Sequence, residues 1–262
     1  ASAIIGASIG VSFALALVLG PVLAAWGGLS RVFETTAILG GLGLLVVVFW
    51  LPPTPNISEA GRSHIADRER LGEALWGRGL GALYGSIFCL HLLLMAAFTA
   101  IPSVMINEVA LPPEQHAWMY LITLMGALPG VAILVRMNRH MADPRGLIAV
   151  AILLTVAGLV VALWSLSAWT LGLGLVLFFA GFTALETILP ALVSMFAPAT
   201  LRGTAMGIFS SAQFLGVFAG GALGGNALYW GGYEGLVTAV LGLTLIWLLG
   251  LWRFSYAPVS TT

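Results

Sequence analysis

Lysine is absent from this 262-residue chain, and charged residues of every kind make up only 8% of it. A soluble domain carries about 25%. The ten arginines are matched by ten acids, leaving a formal net charge of zero, so no basic footprint points to a nucleic-acid partner. A single cysteine, Cys89, excludes a disulfide framework or a thiolate zinc site within the chain. There is no phosphate-binding P-loop, so the chain has no equipment of its own for ATP-driven work. Nor does it open on an initiator methionine or the basic start of a signal peptide; Ala1 already stands inside an apolar run, and the sequence reads as a fragment.

Apolar residues are what it has, at 60% of the total. A spanning helix needs about 20 of them in succession, and eight stretches qualify, near 3–25, 33–51, 80–103, 117–135, 147–166, 169–196, 204–228 and 235–252. Turn signals separate them: Trp26-Gly27-Gly28, Pro52-Pro53, Pro112-Pro113, Asp143-Pro144, Pro198 and Gly231-Gly232. None alternates as a barrel strand would, so the expected class is an all-α integral membrane protein, a polytopic bundle embedded in the lipid bilayer.

Orientation follows from the arginines. Arg62, Arg68, Arg70 and Arg78 fall in loop 52–79, Arg136, Arg139 and Arg145 in loop 136–146, and Arg202 and Arg253 at later turns of the same side, leaving Arg31 alone opposite. That excess assigns the arginine side to the cytoplasm, with both ends of the chain there. Segment 58–76 of the long loop suits either an interfacial helix or a solvated linker. His64, His116 and His140 lie in loops without a second ligand at useful spacing, so neither a metal nor a cofactor is expected.

The chain also repeats itself. Residues 23–50 align with 227–252, so that Trp26-Gly27-Gly28 falls on Trp230-Gly231-Gly232, 204 residues later. Parallel halves related by an axis along the membrane normal are a transporter design. If the second half spans 80–253, about 120 residues, room for about four spans, should precede Ala1. The expected divisions are 1–51, the last two helices of a first bundle; 52–79, an inter-bundle loop; 80–253, a six-helix second bundle; and 254–262, a tail.

Two helices carry the chemistry. Glu186 is the only charge in 171–197, and a carboxylate in hydrocarbon costs several kcal/mol unless paired, neutralised or facing water. Pro190, four residues on, leaves the Glu186 carbonyl without its helical donor and predicts a kink. Two roles suit Glu186: proton or cation handling, and a constant gate contact with Arg202 or a backbone N–H. His91 sits about 16 Å into its helix, near mid-membrane, where a histidine serves either proton movement or a structural hydrogen bond. Gln213 suits an interhelical hydrogen bond. Met95, with Met125, Tyr120 and Phe98, suits either a compliant substrate wall or ordinary packing. Gly216, Gly220 and Gly224, with Gly221 and Gly225 beside them, form a small-residue row for close packing or for sliding; Pro129-Gly130 is a candidate flex point.

The stretch ETILPALVSMFAPATLRGTAMGIFSSAQFLGVFAGGALGG (186–225) resembles the major facilitator superfamily, and within it the drug–proton antiporter-like group. FCLHLLLMAAFTAIP (88–102) is similar to the seventh helix of such proteins. ALVLGPVLAAW (16–26) resembles the fifth-helix antiporter motif, with Gly20-Pro21 kept and Ala16, Ala24 and Ala25 where glycines are usual. RMNRHMADPRG (136–146) looks like a degenerate copy of the basic loop between the second and third helices. The resemblance implies a twelve-helix, six-plus-six fold of which this chain supplies helices five to twelve. It further implies a central cavity lined by the helices of His91 and Glu186, Gly20 and Pro21 as a flex point, and a bacterial inner-membrane location. The implied function is proton-coupled efflux of small or amphipathic solutes by a monomer, not an enzyme. The rival readings are a non-transporting scaffold or remnant, and an intramembrane enzyme, for which the membrane interior offers only His91 and Glu186.

Overall fold

A computed structural model describes residues 2–51, 72, 74–75, 77–138, 141 and 143–253. Among these, every regular element is helical: α1 (Ser2–Trp50), α2 (Leu80–Asn107), α3 (Pro113–Asn138), α4 (Arg145–Leu163), α5 (Ala168–Phe196) and α6 (Arg202–Arg253), with a 3-10 turn at Gly77–Gly79 ahead of α2. Each holds a stretch long and apolar enough to cross a membrane. Local chemistry explains the boundaries. Pro113 opens α3 where its missing N–H costs nothing. The Ser167 hydroxyl accepts the Thr170 N–H at 3.2 Å to cap α5, a contact worth about 1 kcal/mol. At the other end of α5, Ala197 turns extended (ψ 136°) ahead of Pro198, because proline disfavours helical backbone in the residue before it.

The eight apolar stretches form six helical runs, because the two WGG sites bend the chain without an intervening loop. Inside α1, Gly27 (φ −163°, ψ 27°) and Gly28 (φ 70°, ψ −168°) leave helical geometry; inside α6 only Gly232 (φ 58°, ψ −154°) does. Gly28 and Gly232 are the aligned glycines of the repeat, and both take a backbone conformation essentially closed to L side chains. Contacts with α2 give the direction of each arm of α6. Gly216 lies against Phe88, Gly220 against Leu92 and Gly224 against Ala96, so this arm runs parallel to α2. Beyond Gly232 the order inverts: Tyr233 Oη donates to Ser103 Oγ at 3.1 Å and Trp247 Nε1 to Ser86 Oγ at 3.0 Å. The chain therefore reverses at Gly232, and both arms of α6 embrace α2.

Elsewhere the packing is equally close. Helices α4 and α5 form an antiparallel pair in which Gly158 and Gly174 face each other and Gly181 meets Ala151 and Thr155. Helix α3 runs parallel to α5, with Gly126 beside Val176 and Gly130 beside Ala180. The buried core centres on Phe178 and Phe179 of α5, Leu83, Ile87 and Leu90 of α2, and Ile152 of α4. Lipid tails are as apolar as these side chains, so close backbone approach and interhelical hydrogen bonds, rather than hydrophobicity, hold such helices together.

Charge collects at the helix ends. Arg145 clasps Asp143, with Nη2–Oδ2 at 2.6 Å and Nε–Oδ2 at 2.8 Å, and the Arg145 backbone N–H adds a bond to Oδ1. The Arg145 guanidinium also lies over the Trp252 ring, 5.4 Å from its centroid, tying the start of α4 to the end of α6. Arg136, Arg202 and Arg253 fall at that same end, all exposed. At the opposite end Arg31 pairs with Glu34 at 3.0 Å. Arg139, His64, His140 and almost all of segment 58–76 lie outside the described residues. Of that segment, Ala74 is buried and its carbonyl accepts the Tyr84 hydroxyl at 2.7 Å.

Candidate functional site

Counting about 1.5 Å per residue, His91 stands about 16 Å from the start of α2 and Glu186 about 15 Å from the end of α5. Those termini share the arginine end, so the two residues lie at one depth. Side-chain geometry brings them together: His91 Nε2 and Glu186 Oε1 are 3.5 Å apart, their side chains only 7% and 15% exposed. That separation is too long for a hydrogen bond, and Oε1 is buried without any hydrogen-bond partner. Glu186 faces His91 and not Arg202, which is exposed at the helix end.

The third member comes from the first arm of α6. Gln213 Nε2 lies 2.9 Å from His91 Nε2, a contact linking residues 122 apart in the chain. The other ring nitrogen, Nδ1, lies 3.2 Å from the Ile87 carbonyl, one turn back on α2. Phe182, one turn before Glu186, sets its ring edge-on to the imidazole with centroids 5.7 Å apart. Three helices thus meet in one small polar island, with the Phe182 ring against it. The glycine row fixes its register, since Gly216 packs on Phe88, one turn from His91.

The remaining candidates occupy varied places. Met95, one turn beyond His91, is half-buried, whereas Met125 is exposed. Pro190 lies within α5, which runs unbroken from Ala168 to Phe196. Gly20 and Pro21 lie within the first arm of α1, and Pro21 lines a cavity of about 750 Å³ with Val22, Phe98, Pro102, Glu114 and Tyr120. Phe98 and Tyr120 stack there at 5.3 Å. That cavity sits towards the end away from the arginines, its α2 residues Phe98 and Pro102 about two and three turns beyond His91. Gly216, Gly220 and Gly224 are buried against α2, while Gly221 and Gly225 meet nothing.

Several contacts around the site carry no sequence signal. Phe182 is one phenylalanine in an apolar helix, and the Ser86–Trp247 bond that steadies α2 beside His91 joins two residues 161 apart. Gly158, Gly174 and Gly181, which lock α4 to α5, are distributed over two helices, and none has another of the three at a four-residue spacing.

Six long apolar helices, with a buried ionisable cluster at one depth, define a multi-pass α-helical membrane protein. The chain belongs to the Major Facilitator Superfamily, whose family profile matches residues 83–262. It is 35% identical over 259 residues to the inner membrane transport protein YajR of Escherichia coli (strain K12), covering 95% of this chain and 54% of that protein. An uncharacterized transporter of Buchnera aphidicola subsp. Baizongia pistaciae (strain Bp) is 27% identical over 94% of this chain and 63% of its own length. Uncharacterized transporter BU466 of Buchnera aphidicola subsp. Acyrthosiphon pisum (strain APS) is 28% identical over 83% of this chain and 56% of its own length. The chain therefore spans between half and two thirds of the relatives it matches.

Proposed function

We propose that this chain is the larger part of a secondary transporter that exports small or amphipathic solutes across a bacterial inner membrane by alternating access, driven by protons. In this reading α1 and α6 each count as two spans, giving eight of twelve. Residues 1–51 close a first bundle, 52–79 link it to the second, and 80–253 form that second bundle. The arginine end is cytoplasmic, as the excess of Arg136, Arg145, Arg202 and Arg253 over Arg31 supports. The transporter works as a monomer, and Gly20-Pro21 and the glycine row of α6 serve as points of flexure and close packing.

One observation carries the coupling: a carboxylate oxygen buried without a partner, 3.5 Å from an imidazole nitrogen, between α2 and α5. A carboxylate so placed is satisfied either by a proton or by a cation, and rarely by nothing. If α5 moves relative to α2, the same oxygen meets His91 in one conformation and solvent or a cationic solute in the other. Competition of proton and solute for Glu186 is then the exchange. Pro190 favours such movement, because the Glu186 carbonyl lacks an N–H partner there.

The test uses the full-length protein in proteoliposomes, with ethidium uptake driven by an imposed pH gradient. Wild type should accumulate the dye, while Glu186→Gln should lose gradient-driven accumulation by at least about tenfold yet keep ethidium exchange at equal pH. Gradient-driven uptake at the wild-type rate in Glu186→Gln would remove Glu186 from coupling. Failure of the wild type to move ethidium would remove amphipathic cations from the proposed solutes.

A further inference from the structure

The hydrogen bonds around His91 are specific about where protons sit. A carbonyl oxygen only accepts, so the 3.2 Å contact with Ile87 requires Nδ1 to carry a hydrogen and donate it. In the orientation the amide takes here, its nitrogen, which only donates, faces Nε2 at 2.9 Å from Gln213 and makes Nε2 the acceptor. His91 is therefore the neutral tautomer protonated at Nδ1, with its remaining lone pair held by Gln213. Glu186 Oε1 lies 3.5 Å from that same Nε2 and has no partner of its own. A carboxylate oxygen buried beside an unprotonated nitrogen, with no donor of its own, is unfavourable, and a proton on Oε1 removes its charge.

We propose that Gln213 is a positioning residue whose side-chain amide keeps His91 Nε2 free of a proton, so that Glu186 carries the proton in this conformation. Transfer then has one defined route. The O–H bond at Glu186 Oε1 breaks and an N–H bond forms at His91 Nε2, leaving a carboxylate beside an imidazolium with no change in total charge. Before that, the amide must turn over about its last single bond, withdrawing its NH2 and presenting its carbonyl oxygen to the new N–H. Oxygen and NH2 occupy similar volumes, so the turnover needs no repacking. Leucine or methionine in its place could serve neither state.

Among the described residues no other charge competes for the ring. Glu186 is the only acid within 4 Å of it among the described residues. Helices α3 and α4 carry their charges only near their ends, at Glu114, Arg136 and Arg145, and the α6 arms bring Gln213 and, on Ser86, Trp247. The tautomer assignment stands on these contacts alone; its consequence for coupling rests on the transporter reading above.

The experiment is solid-state NMR of the full-length protein, 15N-labelled at histidine and embedded in lipid, with His91→Gln used to identify the His91 signals. Wild type should show Nδ1 protonated and Nε2 bare and hydrogen-bonded. Gln213→Met, similar in length but without donor or acceptor, should keep Nδ1 protonated and open Nε2 to the Glu186 proton, moving the Nε2 resonance towards that of a protonated nitrogen. Gln213→Glu adds a second acid at Nε2 and should yield a ring protonated on both nitrogens. Gradient-driven ethidium uptake by Gln213→Met should slow about fivefold, the factor expected for one neutral hydrogen bond. A wild-type ring protonated at Nε2 would overturn the proposal, as would signals unchanged in both variants. Altered signals with unaltered transport would uphold the placement of the proton and remove His91 from coupling.

Discussion

The glycine seam between α2 and the first arm of α6 predicts opposite effects from two neighbouring substitutions. A Cβ at Gly220 would overlap the Leu92 carbonyl and stand only 2.8 Å from Leu92 Cα, whereas a Cβ at Gly221 meets nothing within 4 Å. Carbon atoms rest at about 3.5 to 4.0 Å, so Gly220→Ala must push the two helices apart by about 1 Å. The obstacle is backbone and cannot rotate away. Overpacking of this kind costs about 1 to 3 kcal/mol. The same shift stretches the Gln213–His91 bond two turns away, a further loss of about 1 kcal/mol. Alanine gains about 1 kcal/mol over glycine in a helix, but both variants share that gain and it cancels between them. Gly221→Ala should therefore be more stable than Gly220→Ala by about 2 to 4 kcal/mol. The check is reversible unfolding of the full-length protein from mixed micelles by added SDS, followed by tryptophan fluorescence. Equal midpoints for the two variants, or a more stable Gly220→Ala, would refute the reasoning.

Two further outcomes follow from contacts away from the seam. Trp247→Phe removes the pyrrole ring and with it the donor to Ser86 Oγ, which is 1% exposed; the same assay should record a loss of at least about 1 kcal/mol, the hydrogen bond plus the packing lost at a buried site. At the arginine end, the Arg145 hydrogen bonds hold the Asp143 carboxyl below its usual range. A depressed value means stability that is complete above the unfolded carboxylate pKa of about 3.9 and is lost as pH falls through the lower folded value. The unfolding midpoint of wild type should thus fall over that acid window, and the Asp143→Asn midpoint should lack that contribution. Parallel acid profiles for the two proteins would show that the Asp143–Arg145 clasp contributes nothing.

Proline and glycine made the segment boundaries legible. Pro113, Pro144 and Pro198 stand at helix ends, and the WGG sites carry the two breaks inside α1 and α6. Their compactness was not legible, because one or two glycines out of helical geometry do the work of a loop. Counting residues from the helix start put His91 near mid-membrane, yet nothing in the sequence said that Glu186 faces it. A helix that is apolar all round has no preferred face, so the direction in which a lone polar residue points is not encoded in its neighbours. The same limit applied to the glycines: five lie in the row from 216 to 225, and only the three-dimensional packing separates Gly216, Gly220 and Gly224 from Gly221 and Gly225.

Gly28 and Gly232 have a stereochemical consequence. Inverting the signs of φ 58° and ψ −154° gives −58° and +154°, the extended polyproline region that ordinary L residues favour. At these two sites the backbone follows the path natural to a residue of the opposite hand. A D-alanine introduced there by chemical ligation would sit without strain and would stiffen the reversal, where its L counterpart would fight it. Glycine, being achiral, is the one genetically encoded residue that lets an L chain make that turn, and it does so twice, 204 residues apart.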